Sequence, residues 1–200
     1  MSFLNDSQRW IEHEGVTYIK ELGIRAGQVI VDFGCNTGHY AIPAARVVGS
    51  EGIVYAIDKE ETSIDQLMKT AKNEGLDNII PIISSKPAIA LPTASVDAVL
   101  IYDVLHYLNT EERITLYQSV NTVLKNKSIL SVFPKHSQSD WPMWHLEKLS
   151  ITDIVKEIES NRFIMIKWDE KRILHDDTLE TGVIINFKKS TIVLNQEKRN

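Results

Sequence analysis

The sequence predicts an α/β fold of three layers: a seven-stranded sheet, mostly parallel with an antiparallel last strand, covered by helices on both faces. Three observations predict it. Short apolar runs alternate with longer segments of helical periodicity through most of the chain, the pattern of a parallel sheet covered on both sides. The first apolar run passes straight into a glycine-bearing turn and then a helix, as Val31-Asp-Phe-Gly-Cys-Asn-Thr-Gly38. The last two apolar runs are joined by a polar connection without a helical pattern, which implies an antiparallel pair at the sheet edge.

Each element has its own justification. Over residues 7–22, Trp10, Ile11, Tyr18, Ile19 and Leu22 recur near helical spacing, and Gly23 ends that helix. Val29-Ile-Val-Asp-Phe33 is a short buried strand. Residues 38–48 read as a helix stopped by Gly49; Pro43 falls in its first turns, where a missing N–H costs least. Residues 52–57 make the second strand, which stops at Asp58. A helix follows over 60–74, closed by Gly75. The third strand, 79–83, contains Pro81. Proline cannot donate to a central ladder, so this strand belongs at an edge. Residues 96–101 form the fourth strand. Residues 110–124 form a helix with Thr110 as N-cap and Arg113 where a capping box would carry an acid. Residues 128–133 are the fifth strand, 151–159 a helix, and 164–168 and 182–187 the last two strands. Residues 195–200 are polar and are expected to fray.

A chain of 200 residues with 43% apolar side chains has enough material for one core. The simplest organisation is one domain over 1–200, with residues 1–24 as a covering helix and 134–149 as a substrate loop or lid. The net charge is −5, and the pairs Lys188-Lys189 and Lys198-Arg199 are too short to make a basic stripe, so no nucleic-acid partner is expected. The single cysteine, Cys35, excludes an internal disulfide and a multi-thiolate metal site. It fits a reducing, cytoplasmic compartment. No apolar run reaches the ~18 residues of a membrane span. Residues 1–10 include Asn5, Asp6 and Arg9 and lack the apolar core of an export signal.

The chemistry centres on the turn after the first strand. Its glycines at 34 and 38 allow backbone angles that side chains forbid. Crevices at the C-terminal ends of such strands bind ligands. Asp58 closes the second strand, where its carboxylate can accept from both hydroxyls of a ribose. Either piece alone is an ordinary turn or an ordinary surface acid; their order points to a nucleoside site. A dinucleotide site favours Gly-x-Gly-x-x-Gly, with a helix N-terminus facing pyrophosphate. Here the spacing differs, and Asp32 stands two residues before the first glycine. A carboxylate there repels pyrophosphate and suits a cofactor bearing an amino group and a positive sulfonium.

On these residues the sequence resembles the class I S-adenosylmethionine (SAM)-dependent methyltransferases. It is most similar to the small type related to ubiquinone/menaquinone-biosynthesis C-methyltransferases. The resemblance spans residues 22–133 and is weaker beyond. It rests on Val31–Gly38, on Val54-Tyr-Ala-Ile-Asp58, and on the segment Leu91-Pro-Thr-Ala-Ser-Val-Asp-Ala-Val-Leu-Ile-Tyr-Asp-Val-Leu-His106. It implies a Rossmann-like sheet, S-adenosyl-L-methionine as cofactor and methyl transfer to a small-molecule acceptor. It further implies that Asp32 holds the methionine amino group, directly or through water. Gly34, Cys35 and Gly38 would line the cofactor through backbone, Asp58 would take the ribose, and backbone near Tyr102 would face the methionine part. Relatives often carry an acid after strand three; here Ser84-Ser-Lys-Pro87 stands there, leaving Ser85 as the candidate adenine contact. Lys125-Asn-Lys-Ser128 replaces the family's Lys-Pro-Gly-Gly, a changed turn.

Two other readings stay open: a nicotinamide-dependent oxidoreductase, against which the glycine spacing speaks, and a catalytically silent SAM-binding protein, for which the missing acid leaves room. A nucleic-acid methyltransferase is disfavoured by the charge and by Ile101-Tyr-Asp-Val104 where an Asn-Pro-Pro-Tyr-like segment would stand. Arsenite methylation is disfavoured by the single cysteine. Methyl transfer asks the protein mainly for positioning, and for a base only if the nucleophile must lose a proton. His106, with Asp103 nearby, is the base candidate; the alternative is that His106 packs the next loop. His39 and Tyr40 follow the glycine turn and would cover the cofactor, His39 alternatively facing solvent. Trp10 and Tyr18 would form pocket wall or core. Residues 134–149 carry His136, Trp141, Met143, Trp144 and His145, either to bind substrate or to pack on the sheet edge. No acid pair completes a metal site with these histidines, so no metal is expected.

Overall fold

The computed structural model describes residues 4–135, 145–146 and 148–190. An N-terminal helical stretch comprises α1 (Asp6–Arg9), a π-helical segment (Trp10–Glu14) and α2 (Gly15–Glu21). There follow β1 (Val29–Phe33), α3 (Ala41–Val48), β2 (Ile53–Asp58), α4 (Glu61–Asn73), β3 (Ile79–Ile83) and β4 (Val96–Tyr102). A 3₁₀ turn (Leu105–Tyr107), α5 (Thr110–Val123), β5 (Leu124–Phe133), α6 (Ile151–Glu159), β6 (Phe163–His175) and β7 (Thr178–Lys189) complete the order.

The strands form one seven-stranded sheet in the order β3-β2-β1-β4-β5-β7-β6. β1, β2, β3, β4 and β5 pair in parallel, and β7 runs antiparallel to both β5 and β6. The fold class read from the sequence therefore holds, with Pro81 on the edge strand β3. Neighbouring strand residues point to opposite faces, and both faces are apolar. Ile30 and Leu100 join one core cluster, whereas Val31 and Ile101 join the other. Burial on both sides explains why these strands read as continuous apolar runs. β1 pairs with β2 on one side and β4 on the other. The strand order reverses there, and a crevice opens beyond the C-terminal ends.

Four expectations need correction. The helix over 7–22 is broken by its π turn, which carries Trp10, 1% exposed, into the core. The 38–48 helix starts only at Ala41, because the preceding residues are used in the turn. The N-cap of α5 is Asn109, not Thr110: its side chain accepts from the Glu112 N–H, and Glu112 returns a bond to the Asn109 N–H. The acid of the capping box is thus present, one position earlier than Arg113. The last two strands are far longer than 164–168 and 182–187. They meet in a two-residue turn, Asp176-Asp177, both at positive φ (44° and 64°), as a tight hairpin requires. Residues 136–144 and 191–200, with His136, Trp141, Met143, Trp144 and the 195–200 tail, lie outside the described residues. Among the described residues no helix is long and apolar enough to cross a membrane.

Candidate active site

The crevice at the β1/β4 reversal opens into a cavity of about 540 Å³. Its walls come from the glycine turn, the ends of β2 and β4, the turn after β3, and the tip of the β6–β7 hairpin.

The glycine turn has a clear geometric reason. Gly34 and Gly38 sit at φ +84° and +96°. A Cβ on Gly34 would strike Val104, and one on Gly38 would strike Leu67. The glycines thus serve first to let the β4 loop and α4 close in. Gly34 and Cys35 line the cavity, while Gly38 is buried under α4 and does not.

The backbone donors of this turn are already committed. The N–H groups of Gly34 and Cys35 both donate to the Ile57 carbonyl, at 2.8 and 3.0 Å. The Asn36 N–H donates to Asp58 Oδ2 at 2.8 Å, and the Gly38 N–H to the Cys35 carbonyl at 2.9 Å. At the start of α3, the Ala41 backbone lowers the Asp32 carboxyl against the effect of burial. The positions a pyrophosphate would use are filled by the chain's own oxygens.

What the turn offers instead is negative charge. Asp58 is half-buried at the cavity wall, and its Oδ1 also accepts from the Glu60 N–H at 3.0 Å. Asp32 lies beneath the turn, 2% exposed. Burial above all, and then the nearby Asp58, push its carboxyl up to about 7. Its Oδ2 is buried without a hydrogen-bond partner, a place that an ammonium group of a ligand, directly or through water, would satisfy. These residues fit SAM, with its amino group, ribose and positive sulfonium, and do not fit a dinucleotide. Cys35 is buried, and desolvation pushes its thiol well up, which rules it out as a ready nucleophile. Ser85 is exposed on the far wall beside Ser84, whose hydroxyl accepts from the Lys86 N–H at 3.2 Å.

An aromatic shell backs the opposite wall. Tyr40 and Tyr102 line the cavity with ring centroids 4.6 Å apart. Trp10 and Tyr18 stand behind them. The Tyr102 hydroxyl bonds the Tyr18 hydroxyl at 2.7 Å and Ser131 Oγ at 2.6 Å. The Trp10 indole N–H donates to the His39 carbonyl at 2.8 Å, and the Tyr40 hydroxyl to the Leu174 carbonyl at 2.7 Å. Burial holds the Tyr18, Tyr40 and Tyr102 phenols well above their ordinary range, so they stay neutral. His39 also lines the cavity, and its burial lowers its pKa against the pull of Asp177 and Asp176.

At the end of β4 the two candidate residues part. Asp103 faces the cavity, held at φ +56°. His106 is 1% exposed and does not reach the cavity wall; its Nδ1 stands 3.3 Å from Asp103 Oδ1, behind it. The structure adds a residue that the sequence did not mark. His175, at the end of β6, places Nε2 2.9 Å from Asp103 Oδ2 and 3.6 Å from Asp176 Oδ2. The Asp103 bond, prevailing over burial, raises its pKa. Among the described residues, Asp103, His175 and Asp176 are the group whose ligand atoms converge, within 4.8 Å of one another. The signal for His175 was the Asp176-Asp177 turn, hidden because the charged run Asp169-Glu-Lys-Arg172 interrupts the strand pattern before it.

Comparison with known proteins gives the same reading. Residues 30–127 match the family model described as the methyltransferase domain. A probable cobalt-precorrin-6B C(15)-methyltransferase (decarboxylating) of Saccharolobus solfataricus is 40% identical over 72 residues, 36% of this chain and 36% of that protein. A demethylmenaquinone methyltransferase of Geobacillus kaustophilus is 28% identical over 107 residues, 54% of this chain and 45% of that protein. The chain thus spans less than half the length of these curated relatives. A crystal structure of a SAM-dependent methyltransferase from Aquifex aeolicus shares the fold with a TM-score of 0.72 and 22% identity, over 90% of this chain and 91% of that one. Neither the family match nor these relatives support the nicotinamide oxidoreductase.

Proposed function

We propose that this chain, which carries a SAM-dependent methyltransferase domain, moves the methyl group of S-adenosyl-L-methionine to a small-molecule acceptor. The observation that carries this reading is the saturation of the glycine turn: its donors are spent internally, with one carboxylate, Asp58, at the cavity wall and a second, Asp32, buried beneath the turn. The cofactor supplies an activated methyl group on a sulfonium. The chain's own residues do the holding. Asp58 accepts from the ribose while pinning the Asn36 N–H. Asp32, through its buried carboxylate, answers the methionine amino group. Gly34 and Cys35 present backbone, Gly38 keeps the turn closed, Ser85 faces the adenine, and Tyr102 stands at the methionine end.

The acceptor side is bounded by Asp103, Tyr107, Phe133 and the hairpin tip. His106 acts there as a positioning residue behind Asp103. A cavity of about 540 Å³ suits small molecules, and the names of the curated relatives point to small-molecule acceptors. A net charge of −5 fits that choice better than a nucleic acid. We take the whole chain as one working unit in a cytoplasmic setting, with residues 1–24 as cover.

The test is calorimetric titration of the full chain with SAM, S-adenosylhomocysteine and NAD. Both sulfur nucleosides should bind. Asp58→Ala should weaken them at least tenfold, about 1.4 kcal/mol or more, with circular dichroism unchanged. Unaltered affinity in that variant, or heat from NAD alone, overturns the reading.

A further inference from the structure

We propose that Asp103, His175 and Asp176 form a divalent-metal site at the acceptor side of the cavity. The inference about the metal stands on these residues alone; its link to the acceptor rests on the methyltransferase reading above.

The geometry comes first. A nitrogen and an oxygen each about 2.1 Å from one ion lie roughly 3–3.4 Å apart at octahedral to tetrahedral angles. His175 Nε2 stands 2.9 Å from Asp103 Oδ2 and 3.6 Å from Asp176 Oδ2, which brackets that span. All three residues line the cavity. His175 Nδ1 faces Glu180 Oε1 at 3.4 Å, and Lys135 Nζ holds the same carboxylate oxygen at 2.8 Å. A carboxylate behind the outer ring nitrogen is what orients a ligating imidazole and fixes its tautomer.

The hairpin that carries His175 and the exposed Asp176 is tied to the rest of the fold. The Tyr40 hydroxyl ties the Leu174 carbonyl at 2.7 Å. The Leu179 N–H donates to Asp6 Oδ2 at 3.0 Å, and Ser7 Oγ to Asp177 Oδ1 at 2.6 Å. The N-terminal helix and the residue before α3 therefore clamp the hairpin tip from both sides. Asp103 is a non-glycine residue at positive φ, a conformation kept only where surroundings impose it, commonly at functional sites.

Charge points the same way. Among the described residues, the carboxylates of Asp103, Asp176 and Glu180 all stand within 3.6 Å of the His175 ring nitrogens. One imidazole and two carboxylates form a nitrogen–oxygen donor set suited to Mn²⁺ or Zn²⁺. Three protein ligands leave positions open, as at catalytic metals. An acceptor oxygen beside the atom to be methylated would occupy one of them, so the acceptor class is an oxygen-bearing chelator.

The full chain, stripped with EDTA, is titrated calorimetrically with MnCl₂ and separately with ZnCl₂. The expected result is one equivalent of at least one ion. His175→Gln and Asp103→Asn should each abolish that binding, and Glu180→Gln should weaken it about 10–100-fold. His13→Ala, at an exposed histidine outside the site, should leave it unchanged. Circular dichroism guards against unfolding, and His175→Gln should retain SAM affinity. The absence of stoichiometric binding by both ions overturns the proposal, as does equal binding by His175→Gln. Loss of SAM binding in the parent chain overturns the methyltransferase reading and leaves the metal site standing.

Discussion

Asp32 is where function should cost stability, and the cost has a definite pH profile. Its carboxyl is raised from 3.8 to about 7 in the folded chain, chiefly by burial and then by Asp58. Between those values the folded state holds a proton that the unfolded state has released. Stability therefore falls as pH rises from about 4 to about 7 and is flat above. At 1.36 kcal/mol per pKa unit, the penalty is about 1 kcal/mol at pH 4.5, about 3 at pH 6 and about 4 at pH 8. Asp32→Asn removes the titration and replaces it with a constant cost. A buried amide N–H without an acceptor costs about 1–3 kcal/mol. The informative quantity is the gap between variant and parent. It should move in the variant's favour by about 3 kcal/mol between pH 4.5 and pH 8, because other groups titrate alike in both. With a urea m-value of about 2 kcal/mol/M, the relative midpoint shifts by on the order of 1.5 M. Urea unfolding followed by tryptophan fluorescence measures it. The same variant should bind SAM at least tenfold more weakly, since an amide does not neutralise an ammonium. A stability gap constant within about 0.5 kcal/mol across that pH range would refute the burial argument for Asp32.

Two further outcomes follow from the packing around the site. Arg113 is 2% exposed and bidentate to Glu157, at 2.7 and 2.8 Å, while also bonding the Leu108 carbonyl after β4. Glu157→Leu leaves that guanidinium buried and uncompensated, so urea unfolding should show a loss of about 3–5 kcal/mol. Gly34→Ala forces a side chain into positive φ and into Val104. It should cost about 1–3 kcal/mol, and adding Val104→Ala should recover the steric part, read as a coupling energy in a double-mutant cycle.

The glycine-turn side of the cavity was legible because it is local. Asp32, Gly34, Cys35, Gly38 and Asp58 lie within 27 residues, on one strand–turn–helix–strand unit. The chemistry of that unit, glycine freedom and a carboxylate at a strand end, is written in residue types. Gly38 shows the limit: its identity was read, but its partner, Leu67 of α4, required the helix to be placed. The hairpin was half-read for a different reason. The 164–168 part of β6 and the 182–187 part of β7 carry apolar residues, buried along β7 and exposed along β6. β6 then runs through Asp169-Glu-Lys-Arg172, four consecutive charged residues that give no strand periodicity, before the buried Ile173 and Leu174. His106 was misplaced because a 3₁₀ turn after β4 rotates it behind Asp103, and a turn of that kind leaves no periodic trace.

The division between the two halves also decides how far similarity carries. The family match covers residues 30–127, which include Asp32, Asp58, Ser85, Tyr102 and Asp103. It stops before His175 and Asp176, which the last hairpin brings back over the cavity. A parallel sheet requires this arrangement. Its C-terminal ends converge at the β1/β4 reversal, so the first strand–turn unit fixes the cofactor. The antiparallel β7 lets the chain return a tight turn to that same end. On the proposed reading, the cofactor side of the cavity lies within the matched segment, and the hairpin tip on the acceptor side lies outside it. Because Asp103 belongs to the first half and His175 to the second, their 2.9 Å contact is the seam at which the two meet. That seam lies beside the aromatic wall of Tyr40, Tyr102 and Phe133. Chemistry specific to this chain is to be sought there rather than in the glycine turn.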